Sequence, residues 1–261
     1  MKQIENIEKH LNEYTEKGYT IVPKLIPQRQ IQKIFNQIES ILDYVIDFHR
    51  INISHTGGID GKYMALKQQN PKICSHVYDI LKVLNSIAET ISSSKITKIL
   101  EKILGTTIIF SDDSQIRIDD NTDDRLIEFH QEVGLISTKN ATLWCPLVDL
   151  NKKMNGLKLI PGSHKNGFVP HRFFTEQHNY YCIMEDYQLD KSKTVSPICK
   201  AGDGVIFDGF LIHGSKPNQS KNLRWTLISR FNSLKGTPYL KEKDAKMHIP
   251  YTADYNSLKN S

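Results

Sequence analysis

Cysteine is scarce in this chain, and its four copies, Cys74, Cys145, Cys182 and Cys199, stand far apart with no Cys-x-x-Cys pair. That spacing argues against a disulfide framework in a chain of 261 residues and fits a reduced, cytoplasmic setting. Long apolar runs are absent too: none approaches the roughly 20 residues needed to span a bilayer. The start, Met1-Lys2-Gln3-Ile4-Glu5-Asn6, lacks the apolar stretch of a cleaved signal peptide. Neither sign of charge dominates any region. The 34 basic and 29 acidic residues are spread along the chain, which describes a solvated surface and gives no reason to expect a nucleic-acid partner. Much of the lysine in the last stretch, from Lys235 to Lys259, reads as a surface tail. There is no internal repeat and no long low-complexity segment.

What is present divides at about residue 105. Ile31, Ile34, Phe35, Ile38, Ile41, Leu42 and Val45 recur at three- and four-residue steps and predict one face of a helix. Ile73, Val77, Ile80, Leu81, Leu84, Ile87 and Ile91 repeat the pattern after Pro71. A third stripe, Ile96 to Leu104, stops at Gly105, which suits the left-handed turn after a helix. Between the first two stripes, Ser54 to Gly58 reads as a loop. From residue 106 the chain turns to short β-rich pieces: Thr106 to Phe110, Ala141 to Val148, Leu157 to Ile160, Gly204 to Phe207 and Arg224 to Phe231. Helices followed by many short strands predict a mainly β fold, a double-stranded β-helix or jelly roll with the N-terminal helices packed on one sheet. A chain of this size builds one core, so residues 1–261 are expected to form a single domain. Within it, 1–105 would be helical support, 106–232 the jelly roll and 233–261 a tail.

The chemistry concentrates in His130-Gln131-Glu132, answered by His213 and then Arg224. Side chains separated by one residue share a face of a β-strand. Two imidazoles and one carboxylate form the set that holds non-haem Fe(II) on three positions and leaves the others open. His130, Glu132 and His213 are therefore the candidate metal ligands and catalytic residues. His164, His171 and His178 compete for a ligand role. Arg224 follows His213 by 11 residues (224 − 213), and its planar guanidinium suits a bidentate carboxylate clamp.

Flanking segments carry a family resemblance. Asn155-Gly156-Leu157-Lys158-Leu159-Ile160-Pro161-Gly162-Ser163-His164-Lys165 resembles the NG-x-L-x-x-IPGSHK segment of the phytanoyl-CoA dioxygenase family. Ala201-Gly202-Asp203-Gly204-Val205-Ile206-Phe207, running into His213-Gly214-Ser215 and Pro217-Asn218, is similar to that family's last ligand segment, and Lys17-Gly18-Tyr19-Thr20-Ile21-Val22-Pro23 to its opening. The likeness runs in the family's order from about residue 15 to about residue 232.

The resemblance implies an Fe(II)- and 2-oxoglutarate-dependent dioxygenase that uses O2 and releases succinate and CO2, with ascorbate as a reductant. It implies that Arg224 clamps the distal carboxylate of 2-oxoglutarate and that Thr226, of the same strand parity, adds a hydroxyl bond. Trp144 and Gln115 fall near cosubstrate-contacting positions, Lys67 is a weaker match, and the turn histidine His164 is structural. Glu132 departs from the family's usual aspartate and carries its carboxylate about 1.5 Å further from the backbone. A carboxylate at this position, where related halogenases have a small residue, points to hydroxylation. Gly202, Gly204 and Gly214 are expected to shape turns around the strand of His213. The substrate is expected to be a small metabolite, and a cationic mouth of Arg117, Arg125, Lys165, His171, Arg172 and Arg230 would make it anionic. Phe168 to Leu189 would be a lid or a surface connection. The alternatives are a cupin-like isomerase or hydrolase using another divalent metal, and an inactive binding protein on the same fold.

Overall fold

The computed structural model describes residues 4–53, 57–122, 127–132, 137, 139–174, 180–184 and 187–236. Arg125, His178 and the tail beyond residue 236 lie outside the described residues. Six helices come first: α1 (Ile4–Lys17), α2 (Gln28–Phe48), α3 (Gly58–Gln69), α4 (Pro71–Leu81), α5 (Asn85–Ile91) and α6 (Ser94–Leu104). The α2 stripe is buried as expected, with Ile34, Ile38 and Leu42 wholly removed from solvent. Each such side chain contributes roughly 1.5–3 kcal/mol of transfer free energy. Gly105 ends α6 with φ 64°, as its position predicted.

Two helical expectations need correction. The stripe from Ile73 to Ile91 is not one helix. Tight turns from Lys82 and Val83 N–H to the Asp79 and Ile80 carbonyls end α4, and Leu84 is extended before α5. The break leaves Val83 exposed while Leu81, Leu84 and Ile87 all reach the core. The other surprise is α3, whose sequence has no strong apolar stripe. It buries only Tyr63 and Leu66, and Gly57 and Gly58 of the expected loop are its N-cap and first residue.

The β portion comprises β1 (Tyr19–Val22), β2 (Ile109–Asp119), β3 (Ile127–His130), β4 (Asn140–Pro146), β5 (Leu157–Leu159), β6 (His171–Phe174), β7 (Tyr180–Ile183), β8 (Gly204–Asp208), β9 (His213–Ser215) and β10 (Arg224–Ser233). β1, β8, β4, β10 and β2 form a five-stranded sheet in that order, and β3, β9 and β5 a three-stranded one. All of the paired strands are antiparallel. Period-two alternation divides the large sheet into two faces. Leu143, Cys145, Ile206, Trp225, Leu227 and Phe231 join the helices in one buried cluster. Trp144, Val205, Phe207 and Ile228 point the other way and meet Leu157 and Leu159 of the small sheet. The result is a mainly β jelly roll with a helical layer on the outer face of its larger sheet.

The expected strand over 106–110 instead starts at Ile109 and runs to Asp119 through Asp112, Asp113, Ser114 and Gln115. Asp113, Gln115, Arg117 and Asp119 share one face of this strand; Gln115, Arg117 and Asp119 line the cavity described below, and Asp113 pairs with Arg230 of β10. The segment from Phe168 to Leu189 is neither a plain connection nor bare surface: β6 and β7 pair within it, and Val169 and Ile183 pack with Phe129, Ile160 and Ile212.

Of the three glycines expected in turns, only Gly202 has a left-handed φ (87°), whereas Gly204 and Gly214 lie within strands β8 and β9. A Cβ at Gly202 would stand 2.3 Å from the Ile26 carbonyl oxygen, whereas one at Gly58 (φ 49°) would meet nothing. Gly58→Ala should therefore lose only the backbone term, about 1 kcal/mol, and Gly202→Ala more, up to the roughly 3 kcal/mol of a strained site. Urea unfolding of both variants measures this, and equal losses would contradict it.

Candidate metal centre

A register shift between Ile127 and His130 re-aims the end of β3, so that His130 lies opposite His213 of β9. Their rings approach to 4.2 Å between centroids. Glu132 lies beyond the end of β3, so a shared strand face is not what gathers the triad. Its amide donates to the Gly209 carbonyl at 2.9 Å, and the alternation of side chains continues through that contact. Gln131 points the opposite way, donating from Nε2 to the carbonyls of Gly167 (2.8 Å) and Phe210 (2.6 Å) and accepting from the Val169 amide at 2.8 Å. His171 steadies the same peptide: its Nε2 accepts from the Gln131 amide at 3.0 Å.

The donor set fits a divalent ion. One ligand atom from each of His130, Glu132 and His213 lies within 4.8 Å of the others, and His213 Nε2 is 3.5 Å from Glu132 Oε1. Metal–ligand bonds of about 2.1 Å would draw them closer. Both tautomers are set by the backbone, because a carbonyl only accepts. His130 Nδ1–H donates to Glu128 O at 2.8 Å and His213 Nδ1–H to Leu211 O at 2.9 Å, which turns each Nε2 lone pair to the site. Burial, reinforced by His213, pushes the His130 pKa down to about 3, so its imidazole is neutral. Burial opposes ionisation of Glu132, but Arg230 and the two histidines outweigh it and hold its carboxyl well below the usual range. Neutral imidazoles and an ionised carboxylate are the states a metal requires.

These three residues open onto a cavity of about 560 Å³ between the sheets and the α3–α4 region, also lined by Tyr63, Lys67, Cys74, Tyr78, Gln115, Arg117, Asp119, Trp144, Phe207 and Arg230. Trp144 and Gln115 both line this cavity, with Gln115 accepting from Tyr78 O–H at 3.3 Å. Lys67 lines the cavity and is ion-paired with Asp120.

Arg224 is 2% exposed and is not among the lining residues. Its Nε and Nη2 lie 3.1 and 3.0 Å from Asp119 Oδ2, and its Nη1 donates to Met154 O (2.7 Å) and Lys216 O (3.1 Å). The guanidinium has five N–H donors, so these contacts leave one Nη2 hydrogen, not the two needed for a bidentate clamp. Arg117 shares the same carboxylate through Asp119 Oδ1, at 2.8 Å from Nε and 2.7 Å from Nη2. The hydroxyls of Thr226, Thr142 and Ser215 are buried without a hydrogen-bond partner among the described residues, and the latter two line the cavity.

Of the expected cationic mouth, Arg117 and Arg230 line the cavity, each paired with a carboxylate, and the other described members do not. Lys165 pairs with Glu16 at 3.0 Å, His171 is committed to backbone, and Arg172 is not among the lining residues. His164 contacts the Thr15 carbonyl at 3.1 Å, a structural role. Reading the sequence missed Asp119 and Asp113 as partners of the arginines. The parity of Asp113, Gln115, Arg117 and Asp119 was the available signal, hidden because the strand was ended too early.

A model of the family described as phytanoyl-CoA dioxygenase (PhyH) matches residues 14–226. The chain is 32% identical over 113 residues to a phytanoyl-CoA dioxygenase domain-containing protein 1 homolog of Dictyostelium discoideum, covering 40% of each. It is 21% identical over 229 residues to the peroxisomal phytanoyl-CoA dioxygenase of Homo sapiens, covering 84% of this chain and 66% of that one. It thus spans less than two thirds of the length of either relative. Among solved structures, the non-haem α-ketoglutarate-dependent epimerase SnoN from nogalamycin biosynthesis shares the fold with a TM-score of 0.61, at 15% identity over 96% of this chain and 97% of that chain. EvdO2 of Micromonospora carbonacea var. aurantiaca, solved with 2-oxoglutarate, gives 0.59 at 14% identity, covering 85% and 89%.

Anaerobic titration of the metal-free protein with Fe(II) should show one ion bound per chain, with tight binding lost in His130→Ala and in His213→Ala. Unchanged affinity in both variants would remove the triad from consideration.

Proposed function

The chain belongs to the phytanoyl-CoA dioxygenase family, and we propose that it hydroxylates a small-molecule metabolite using Fe(II), O2 and 2-oxoglutarate. The observation that carries this reading is the convergence of two Nε2 lone pairs and one ionised carboxylate on a cavity with an arginine-bearing wall. Fe(II) held by His130, Glu132 and His213 would supply the activation of O2, with 2-oxoglutarate as the co-reductant converted to succinate and CO2 and one oxygen atom going into a C–H bond of the substrate.

The protein's own contribution is to place and enclose these partners. We assign the distal carboxylate of 2-oxoglutarate to the remaining Nη2 hydrogen of Arg224 and to the Thr226 hydroxyl; both residues lie behind the cavity lining, so the cosubstrate has to reach past Asp119, which does line it. Asp119 stays with Arg117 and keeps the buried guanidinium from moving. Removing Asp119 would leave Arg224 without a counter-charge, at a cost of roughly 3–5 kcal/mol. Trp144, Phe207, Leu157 and Ile228 supply an apolar floor that excludes water from the reacting atoms.

The cavity's described cations, Lys67, Arg117 and Arg230, are each paired with a carboxylate. An anionic substrate would have to compete with those partners. A substrate with an uncharged reacting region, enclosed by Tyr63, Tyr78 and Trp144, suits the cavity better than the anion expected from the sequence. Glu132 fills the third ligand position, so the product should carry new oxygen and no halogen even when chloride is plentiful.

2-Oxoglutarate should stabilise the metal-loaded protein by about 2.7 kcal/mol at a hundredfold excess over Kd. Arg224→Ala should abolish most of the resulting thermal shift and leave metal binding nearly intact. If instead Arg117→Ala removes the shift and Arg224→Ala does not, Arg117 is the carboxylate residue. Succinate release across a metabolite panel, with ascorbate present, then tests the activity. Turnover confined to highly charged compounds would contradict the substrate assignment.

A further inference from the structure

Arg230 sits on the same face of β10 as Arg224 and opposite Asp113 of β2, immediately before the register shift at Phe231. Its Nε donates to Glu132 Oε2 at 2.7 Å, and its Nη1 is ion-paired with Asp113. Glu132 therefore has its two oxygens divided. Oε2 is turned to the arginine, and Oε1 lies 3.5 Å from His213 Nε2, on the side where the three ligand atoms converge. Glutamate has one more side-chain torsion than aspartate, and Glu132 lies two residues past the end of its strand rather than within it. Left alone, such a carboxylate can rotate and offer both oxygens to one ion.

We propose that Arg230 is a positioning residue: by holding Oε2 of Glu132 it makes the carboxylate a one-oxygen metal ligand and keeps a coordination position free for cosubstrate. This rests on the reading of His130, Glu132 and His213 as the metal centre. Asp113 completes the device by anchoring the far end of the guanidinium. The arginine is thus held between two carboxylates, an arrangement that orients Glu132 and does not present an open anion site to the cavity. Oriented ligands of this kind are worth about 10–100-fold in metal affinity or activity. The geometry also makes the dependence specific to glutamate. Aspartate at position 132 would draw the carboxylate about 1.5 Å back from the guanidinium, out of hydrogen-bonding range.

Co(II) replaces iron in the test, because its visible spectrum reports coordination without turnover. Arg230→Gln in the otherwise unchanged protein should weaken Co(II) binding about 10–100-fold or shift its visible bands, and should weaken the further spectral change caused by 2-oxoglutarate. Arg230→Lys, which keeps the charge and loses the Nε donor, should recover only part of the effect. In the Glu132→Asp background, Arg230→Gln should change little, giving a non-zero coupling in the double-mutant cycle. Thermal melting of the metal-free variants separates misfolding from misplacement of the ligand. An unchanged Co(II) affinity and spectrum in Arg230→Gln, with His213→Ala losing the metal, would overturn the role of Arg230 alone. If His213→Ala also keeps the metal, the centre itself is wrong. Equal effects of Arg230→Gln in the glutamate and aspartate backgrounds would likewise overturn the proposal.

Discussion

His130 and His213 face one another across two strands so short that neither would hold a register by itself. The pairing is maintained from outside. Gln131 ties the segment to the Gly167 and Phe210 carbonyls, Ser163 Oγ accepts from the Ile212 amide at 2.8 Å, and β5 closes the other side of β9. With the backbone fixed in this way, each imidazole is turned by its own Nδ1–H bond to a carbonyl two residues earlier. A slip of one residue in β9 would send His213 to the opposite face. The metal centre is therefore a consequence of strand register, and the polar contacts around Gln131 are what resist its loss.

The inner face of β10 carries the rest of the site. Arg224, Thr226, Ile228 and Arg230 alternate with Trp225, Leu227 and Phe231, which face the helices. This single strand joins the hydrophobic core to the chemistry. Trp225 is wholly buried, and its Nε1–H donates to Asp60 of α3 at 2.8 Å. Opposite it, each arginine is met by an acid on the neighbouring β2: Asp119 for Arg224 and Asp113 for Arg230. Burying a guanidinium costs several kcal/mol unless it is paired, so these acids are conditions for the arginines to be there at all.

The parts of this arrangement that follow from local pattern were legible in the sequence. The apolar stripes of α2 and α6, the stop at Gly105, the β-rich second half and the residues His130, Glu132, His213, Trp144 and Gln115 could be named from spacing and resemblance. Features that depend on tertiary context were not. The break at Lys82–Leu84 has no proline or glycine to announce it, and α3, which fully buries only Tyr63 and Leu66, lacks a strong apolar stripe. Strand β2 was expected to end at Phe110 because the residues that continue it, Asp113, Gln115, Arg117 and Asp119, are polar, and their partners on β10 lie more than 100 residues away. The bidentate role expected of Arg224 rested on its spacing from His213, which carries no information about Asp119, 105 residues earlier.

The central claim is that His130, Glu132 and His213 hold one metal ion through two Nε2 atoms and one carboxylate oxygen. Anomalous diffraction from anaerobically grown, Fe(II)-loaded crystals tests it most directly. The account predicts a single iron peak bonded to His130 Nε2, His213 Nε2 and Glu132 Oε1, with Glu132 Oε2 still held by Arg230. A peak lying elsewhere, or iron held by a histidine Nδ1 or by both oxygens of Glu132, would contradict it.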